Sequence, residues 1–75
     1  MEFQLVSVRS GKDAERILKA YKNIEKFGYK KKGGELFVTI STLEDLMDLL
    51  KSTLKQNCFI CHDENVIHIY DEKLK

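Results

Sequence analysis

The 75-residue chain contains no proline, no internal repeat and no stretch of low complexity that would mark a linker between domains. It also lacks a run of about 18 apolar residues, the length that a membrane-spanning helix needs. Its beginning, MEFQLVSVRS, has neither the basic segment nor the long apolar segment of a signal peptide. We therefore expect a single cytoplasmic domain that does not contact a membrane.

Hydrophobic residues make up 43% of the chain and charged residues 33%, a balance too apolar for a disordered protein. A domain of this length buries only roughly 60 to 65% of the surface that its unfolded chain exposes. An enclosed active-site cavity is hard to build in so small a core, which weighs against an enzyme.

Only two cysteines are present, and both lie in the segment Cys58–His62, CFICH. As a string, CxxCH is the attachment motif of c-type haem, and two cysteines with His62 and His68 offer four zinc ligands. Side chains alternate across a strand, so Cys58 and Cys61 should point to opposite faces and fail to hold one ion. A thioredoxin-type pair would need a helix N-terminus beside its first cysteine. We therefore expect reduced thiols and no metal or cofactor.

The sequence contains no catalytic fingerprint. Fragments of a phosphate-binding P-loop occur at residues 10–12 (SGK) and 32–34 (KGG), but neither has the P-loop spacing. His62 should lie on the opposite strand face from Cys61, which leaves no Cys-His dyad. We expect no catalytic residue and no small-molecule substrate.

The hydrophobic period changes from 2 to 3.6 and back along the chain, which predicts alternating strands and helices. Phe3–Arg9 (FQLVSVR) is the first predicted strand. Apolar residues at intervals of three and four predict an amphipathic helix over Gly11–Phe27, capped by Ser10 and ended by Gly28. The basic, glycine-ended segment Tyr29–Gly34 (YKKKGG) is predicted to be a loop.

The middle of the chain predicts a second strand followed by a second helix. Glu35–Ser41 (ELFVTIS) alternates as a strand does, and Ser41 with Glu44 fits a capping box for a helix that runs to about Leu54. The apolar residues of this helix recur at helical spacing and form one stripe: Leu43, Leu46, Met47, Leu50 and Leu54.

Two further strands, Cys58–His62 and Val66–Tyr70, flank a short polar loop and predict a hairpin. The predicted fold is α/β, an α+β two-layer sandwich in the order β-α-β-α-β-β, with a four-stranded mixed sheet and two helices on one face. The strand order stays open. Several nucleic-acid-binding folds share this order of elements, but only as an analogy of topology.

One face of this sheet should be bare and unusually apolar. Strand alternation assigns it a set of seven residues: Phe37, Thr39, Phe59, Cys61, Val66, His68 and Tyr70. Its aromatic side chains can stack on bases or be covered by a protein, and the candidate contact residues are Phe37, Thr39, Phe59, His68 and Tyr70. The alternative is that the chain ends fold over part of this face.

The outer side of the first predicted helix is basic, and so is the loop after it. The helical lysines and arginine fall within about 120° of one another, and the complete set is Lys12, Arg16, Lys19, Lys22, Lys26, Lys30, Lys31 and Lys32. Such a surface can contact phosphates or an acidic protein. The alternative is an ordinary solvated helix face.

Two functional hypotheses follow. The first is a small non-catalytic interaction or regulatory protein that binds a protein partner, or forms a homodimer, through the bare sheet face. The second is a nucleic-acid-binding domain that contacts phosphates through the basic residues. The first ranks higher because the whole chain carries a net charge of only +1.

Overall fold

The computed structural model describes residues 1–8 and 13–71, and within them five strands form a mixed sheet with two helices. The elements are β1 (Glu2–Ser7), α1 (Ala14–Ala20), β2 (Gly28–Lys32), β3 (Glu35–Thr39), α2 (Leu43–Asp48), β4 (Cys58–Cys61) and β5 (Val66–Ile69). A 3-10 turn at Lys22–Lys26 follows α1, and a π-helical turn at Leu49–Thr53 extends α2. The predicted α+β class and the two helices are confirmed, whereas the predicted count of four strands is wrong.

The strand that begins the chain lies at the centre of the sheet, whose order is β2-β3-β1-β5-β4. β1 runs antiparallel to β3 and parallel to β5, and β2 and β4 form the two antiparallel edges. In this register Leu5 of β1 lies opposite both Leu36 and Ile67, and all three are fully buried. The central strand therefore joins the two halves of the core.

The two sheet faces differ in burial. The helix-facing side chains of the three inner strands are buried, and Ile17, Ile24, Leu49 and Leu54 from the helical segments belong to the same hydrophobic cluster. The alternate side chains of these strands are half-buried or exposed. We call this open side the outer face.

The predicted loop at Tyr29–Gly34 is instead the edge strand β2 and a tight turn. Gly33 and Gly34 take φ values of 59° and 81°, the left-handed geometry that a two-residue hairpin turn requires. β2 pairs residue by residue with β3. Its lysines obscured the strand pattern, because an edge strand tolerates charges that a central strand would not.

The first predicted helix is interrupted. α1 ends at Ala20, because the backbone of Tyr21 leaves the helical region at φ −125° and ψ 73°. Gly28 belongs to β2 and therefore does not end a helix. The N-cap is Asp13, whose carboxylate accepts the Arg16 N–H at 3.1 Å. The proposed cap Ser10, like Arg9 and Lys12, lies outside the described residues.

The second helix begins one residue later than predicted, because Thr42 and not Ser41 caps it and accepts the Asp45 N–H at 3.1 Å. Its apolar stripe also differs from the prediction. Leu43 is 74% exposed, while Leu49 is fully buried. The change from α-helical to π-helical winding alters the angular spacing from Leu49 onward and places Leu49 in the core, whereas the exposure of Leu43 depends on how α2 lies on the sheet.

Replacement of Gly33 tests the hairpin turn. A Cβ on Gly33 would meet no atom within 4 Å, so the cost of a side chain there comes from its φ of +59° alone. We expect Gly33→Ala to lower the free energy of unfolding by about 1 kcal/mol, measured by urea denaturation. Gly33→Asn is the matched control and should cost less, because Asn tolerates left-handed backbone. Equal losses in both variants would contradict a turn set by backbone conformation.

Candidate interaction site

The outer face brings together side chains from all five strands. Phe59 lies opposite His68, His68 lies opposite Val6, and on the other side of β1 Gln4 lies opposite Phe37. By this register, the face has the following side chains on its strands: Glu2, Gln4, Val6, Lys30, Lys32, Glu35, Phe37, Thr39, Phe59, Cys61, Val66 and His68. The structure thus places the sequence-derived residues on one side of the sheet, but in two separate groups divided by β1.

Phe59, His68 and Tyr70 form the first group, which we call the aromatic row. The Phe59 and His68 rings stack with centroids 4.8 Å apart and planes inclined by 16°. The Phe59 and Tyr70 centroids are 6.3 Å apart. Phe59 is 53% exposed and Tyr70 is 45% exposed, so the row presents ring surface to solvent.

Two hydrogen bonds hold Tyr70 in the aromatic row. Its backbone N–H donates to the Asn57 carbonyl at 2.9 Å, and its hydroxyl donates to the Gln56 carbonyl at 3.1 Å. Gln56 itself has a φ of 62° in the turn before β4. The main chain and the hydroxyl of Tyr70 are therefore both held by the turn before β4.

Phe37 and Thr39 form the second group, beside the edge strand β2. Lys30 lies opposite Phe37, with its Nζ 6.0 Å from the ring centroid, and it pairs with Glu2 at 3.2 Å. Lys31 lies on the other side of the sheet and pairs with Glu15 of α1. The predicted basic loop is therefore divided between the two sheet faces by strand alternation.

The basic surface of the first helical segment is interspersed with acids. Lys26 pairs with Asp48 at 2.5 Å and Arg16 with Asp13 at 3.5 Å. The hydrogen bond from Lys26 is the main cause that lowers the pKa of Asp48, and the hydrogen bond to Glu15 raises the pKa of Lys31. Within the described part of the chain, Lys19, Lys22 and Lys32 have no ion-pair partner.

The two cysteines are the first and the last residue of β4. Cys58 packs against the core, where burial raises its thiol pKa. Cys61 lies on the outer face and donates a hydrogen bond to Glu64 at 3.1 Å, which is the main cause that raises its pKa. A raised pKa keeps a thiol protonated at neutral pH and lowers its nucleophilicity. Among residues 1–8 and 13–71, no three His, Cys, Asp or Glu side chains cluster as metal ligands.

Compared with known proteins, the chain matches no family model, no curated protein and no solved structure. None of the helices in the described residues is both long enough and apolar enough to cross a membrane.

Sequence reasoning missed the placement of Lys30 beside Phe37, because it treated residues 29–34 as a loop. A signal was present: Gly33-Gly34 lies between the segments that pair as β2 and β3, and a glycine pair at such a position is typical of a two-residue hairpin turn. The sequence offered no comparable signal for the exposure of Leu43, which depends on how α2 lies on the sheet.

The Lys26–Asp48 pair predicts a pH dependence. The folded state lowers the pKa of Asp48, so the stability that this pair contributes is present above the ordinary Asp value of 3.8 and is lost as pH falls through the lower folded value. We expect Asp48→Asn to reduce stability near neutral pH and to have little effect in strong acid. Urea unfolding at both pH values measures this. An equal loss at both would contradict an ionic origin, and Lys26→Gln should abolish the difference.

Proposed function

We propose that this chain is a small non-catalytic interaction protein of the cytoplasm, which binds protein through its outer face. The occupant is a second copy of the chain or a different protein. The observation that carries the proposal is the aromatic row, which is exposed, held in place and uncovered by any other part of the described chain.

Burial of the aromatic row is favourable and has a low entropic cost. Phe59 and Tyr70 each expose about half of their surface, 53% and 45%, and aromatic rings contribute much of the energy of protein interfaces. Stacking with His68 and the two Tyr70 hydrogen bonds restrict these side chains in advance. A partner therefore loses little side-chain freedom when it covers the row.

The two sheet edges differ in a way that directs a partner to the aromatic row. The β2 edge, GYKKK, carries three lysines, which oppose addition of a further strand. The β4 edge, CFIC, carries no charge and includes Phe59. A strand that pairs with β4 would extend the sheet and lie beside the aromatic row at the same time.

The charge distribution supports protein over nucleic acid as the first choice. Lys26, Lys30 and Lys31 each pair with a carboxylate of the same chain. Contact with phosphates would require these pairs to break or would bring their carboxylates close to the nucleic-acid backbone. The surface that looked uniformly basic along the sequence is therefore less suited to a polyanion.

Substitution of Phe59 tests whether the outer face binds a second copy of the chain. Light scattering over a dilution series should show a concentration-dependent dimer for the unmodified chain. Phe59→Asp should raise the dimer dissociation constant at least about thirtyfold, as expected for a residue central to an interface.

Leu43→Asp is the matched control, since it places the same charge at an apolar residue of α2 that is 74% exposed. The control should dimerise as the unmodified chain does. Equal weakening by both substitutions would contradict a specific role for the outer face. A chain that is monomeric at every concentration would remove self-association and leave a different protein as the occupant.

A second candidate function is single-stranded nucleic-acid binding, favoured by one specific observation. Pairing with β3 places Lys30 and Lys32 on the outer face, with Lys30 opposite Phe37. A sheet surface that binds single-stranded nucleic acid combines aromatic rings, on which bases stack, with cations that contact the phosphates.

Fluorescence anisotropy with labelled single-stranded RNA and DNA at low and moderate salt distinguishes this candidate from the first. It predicts binding that weakens steeply with salt, a shallower salt slope in Lys30→Gln, and weaker binding in Phe37→Ala. Lys51→Gln, which removes an exposed lysine of the turn after α2, should leave the salt slope unchanged. Absence of binding at low salt would contradict the candidate.

A further inference from the structure

An open cleft on the helical side of the molecule has an unusual lining. It lies between the end of α1 with the following 3-10 turn and the end of the π-helical turn, and its volume is about 350 Å³. Its polar lining residues are Lys19, Lys22, Asn23, Ser52, Thr53 and Lys55. The cleft is separate from the outer face, because both helical segments that form it cover the other side of the sheet.

Among the residues that the structure describes, three lysines and no carboxylate line the cleft. By contrast, the two clefts between α1 and β2 are lined by Asp13 and Glu15 as well as by lysines. Lys19, Lys22 and Lys55 form no ion pair with any residue that the structure describes. Asp48, which Ser52 contacts by a hydrogen bond, already pairs with Lys26. The cleft thus concentrates positive charge that no carboxylate among residues 1–8 and 13–71 neutralises.

Thr53 gives an independent indication of a ligand. This residue is only 4% exposed, and its Oγ1 is buried without a hydrogen-bond partner. A buried hydroxyl without a partner costs folding free energy, so its presence in the wall of a cleft calls for an acceptor. The oxygen itself is closed to solvent in this conformation, so a rotation of the Thr53 side chain toward the cleft would let an anion there accept its hydrogen bond.

The backbone next to Thr53 indicates the same location. Lys55 and Gln56 take φ values of 54° and 62°, and such left-handed backbone is uncommon for residues with a side chain. Backbone of this kind often occurs where a side chain is held for a function. Here it lies in the turn that carries Lys55 into the lining of the cleft.

We propose that this cleft binds a phosphate group carried by a small phosphorylated molecule. Three ammonium groups, the Asn23 amide and the Thr53 hydroxyl offer donors to a tetrahedral dianion, and charge-assisted hydrogen bonds of this kind are strong. The volume is at the low end for small-molecule sites, which suits a phosphate with a small attached group. The proposal goes beyond the protein contact on the outer face and does not depend on it.

Nuclear magnetic resonance titration of the labelled chain tests the site. The probes are inorganic phosphate and adenosine 5′-monophosphate, with sodium chloride at matched ionic strength as the reference. We expect saturable shifts of the amide signals of Lys22, Asn23, Thr53 and Lys55. Equal shifts with chloride, or shifts spread over all exposed lysines, would overturn the proposal.

Thr53→Val distinguishes a binding role from a structural one. It should weaken phosphate binding at least about tenfold, because it removes a hydrogen bond to a charged group. Its melting temperature should stay equal or rise, because it also removes a buried hydroxyl without a partner. Unchanged binding in this folded variant would overturn the proposal.

Lys22→Gln and Lys51→Gln form a charge-matched pair, since each removes one exposed lysine and only Lys22 lines the cleft. Weaker binding in Lys22→Gln alone supports the site, while equal weakening in both overturns it.

A short single-stranded oligonucleotide distinguishes the source of the phosphate. If it shifts the same amides at lower concentration than adenosine 5′-monophosphate does, and Thr53→Val abolishes this, the phosphate belongs to a nucleic acid and the small-molecule assignment is wrong.

Discussion

The structure depends on β1, the strand that begins the chain, as the centre of its sheet. β1 pairs antiparallel with β3 on one side and parallel with β5 on the other, so it links two hairpins that are far apart in sequence. Leu5 lies at this junction opposite Leu36 and Ile67, and none of the three is exposed. A one-residue slip in the register of β1 would move Leu5 to the outer face and would break the core in both halves.

The position of β1 also determines how the outer face is divided. Its own outer side chains, Gln4 and Val6, separate the aromatic row near β4 from Phe37 and the lysines near β2. The face therefore has an apolar half and a charged half, with opposite edge chemistry on β4 and β2. The protein partner that we propose would contact the apolar half, beside β4. The cleft around Thr53 is formed by the helical layer and is physically independent of that contact.

Strand alternation predicted which residues share a face because side-chain direction in a strand is a local property with a period of two. Phe37, Phe59 and His68 lie on the outer face for this reason, and the two cysteines lie on opposite faces. Elements whose form depends on distant contacts were predicted less well. The lysine-rich strand β2 has the composition of a loop and is a strand because it pairs with β3. The helix ends before Tyr21 although no proline or glycine lies there. Tyr21 is 5% exposed, and its hydroxyl bonds Asp71 near the other end of the chain.

By itself, the sequence determined the α+β class, the two amphipathic helical segments, the β4–β5 hairpin and the residues that β3, β4 and the β5 segment contribute to the apolar part of the outer face. All of these follow from hydrophobic period and turn chemistry, which act over a few residues. Only the tertiary structure decided the strand order, the fifth strand, the pairing of Lys26, Lys30 and Lys31 with carboxylates, and the lining of the cleft around Thr53. Each of these joins segments that are distant in sequence. The charge and spacing of the side chains along one segment carry no information about which other segment lies against it.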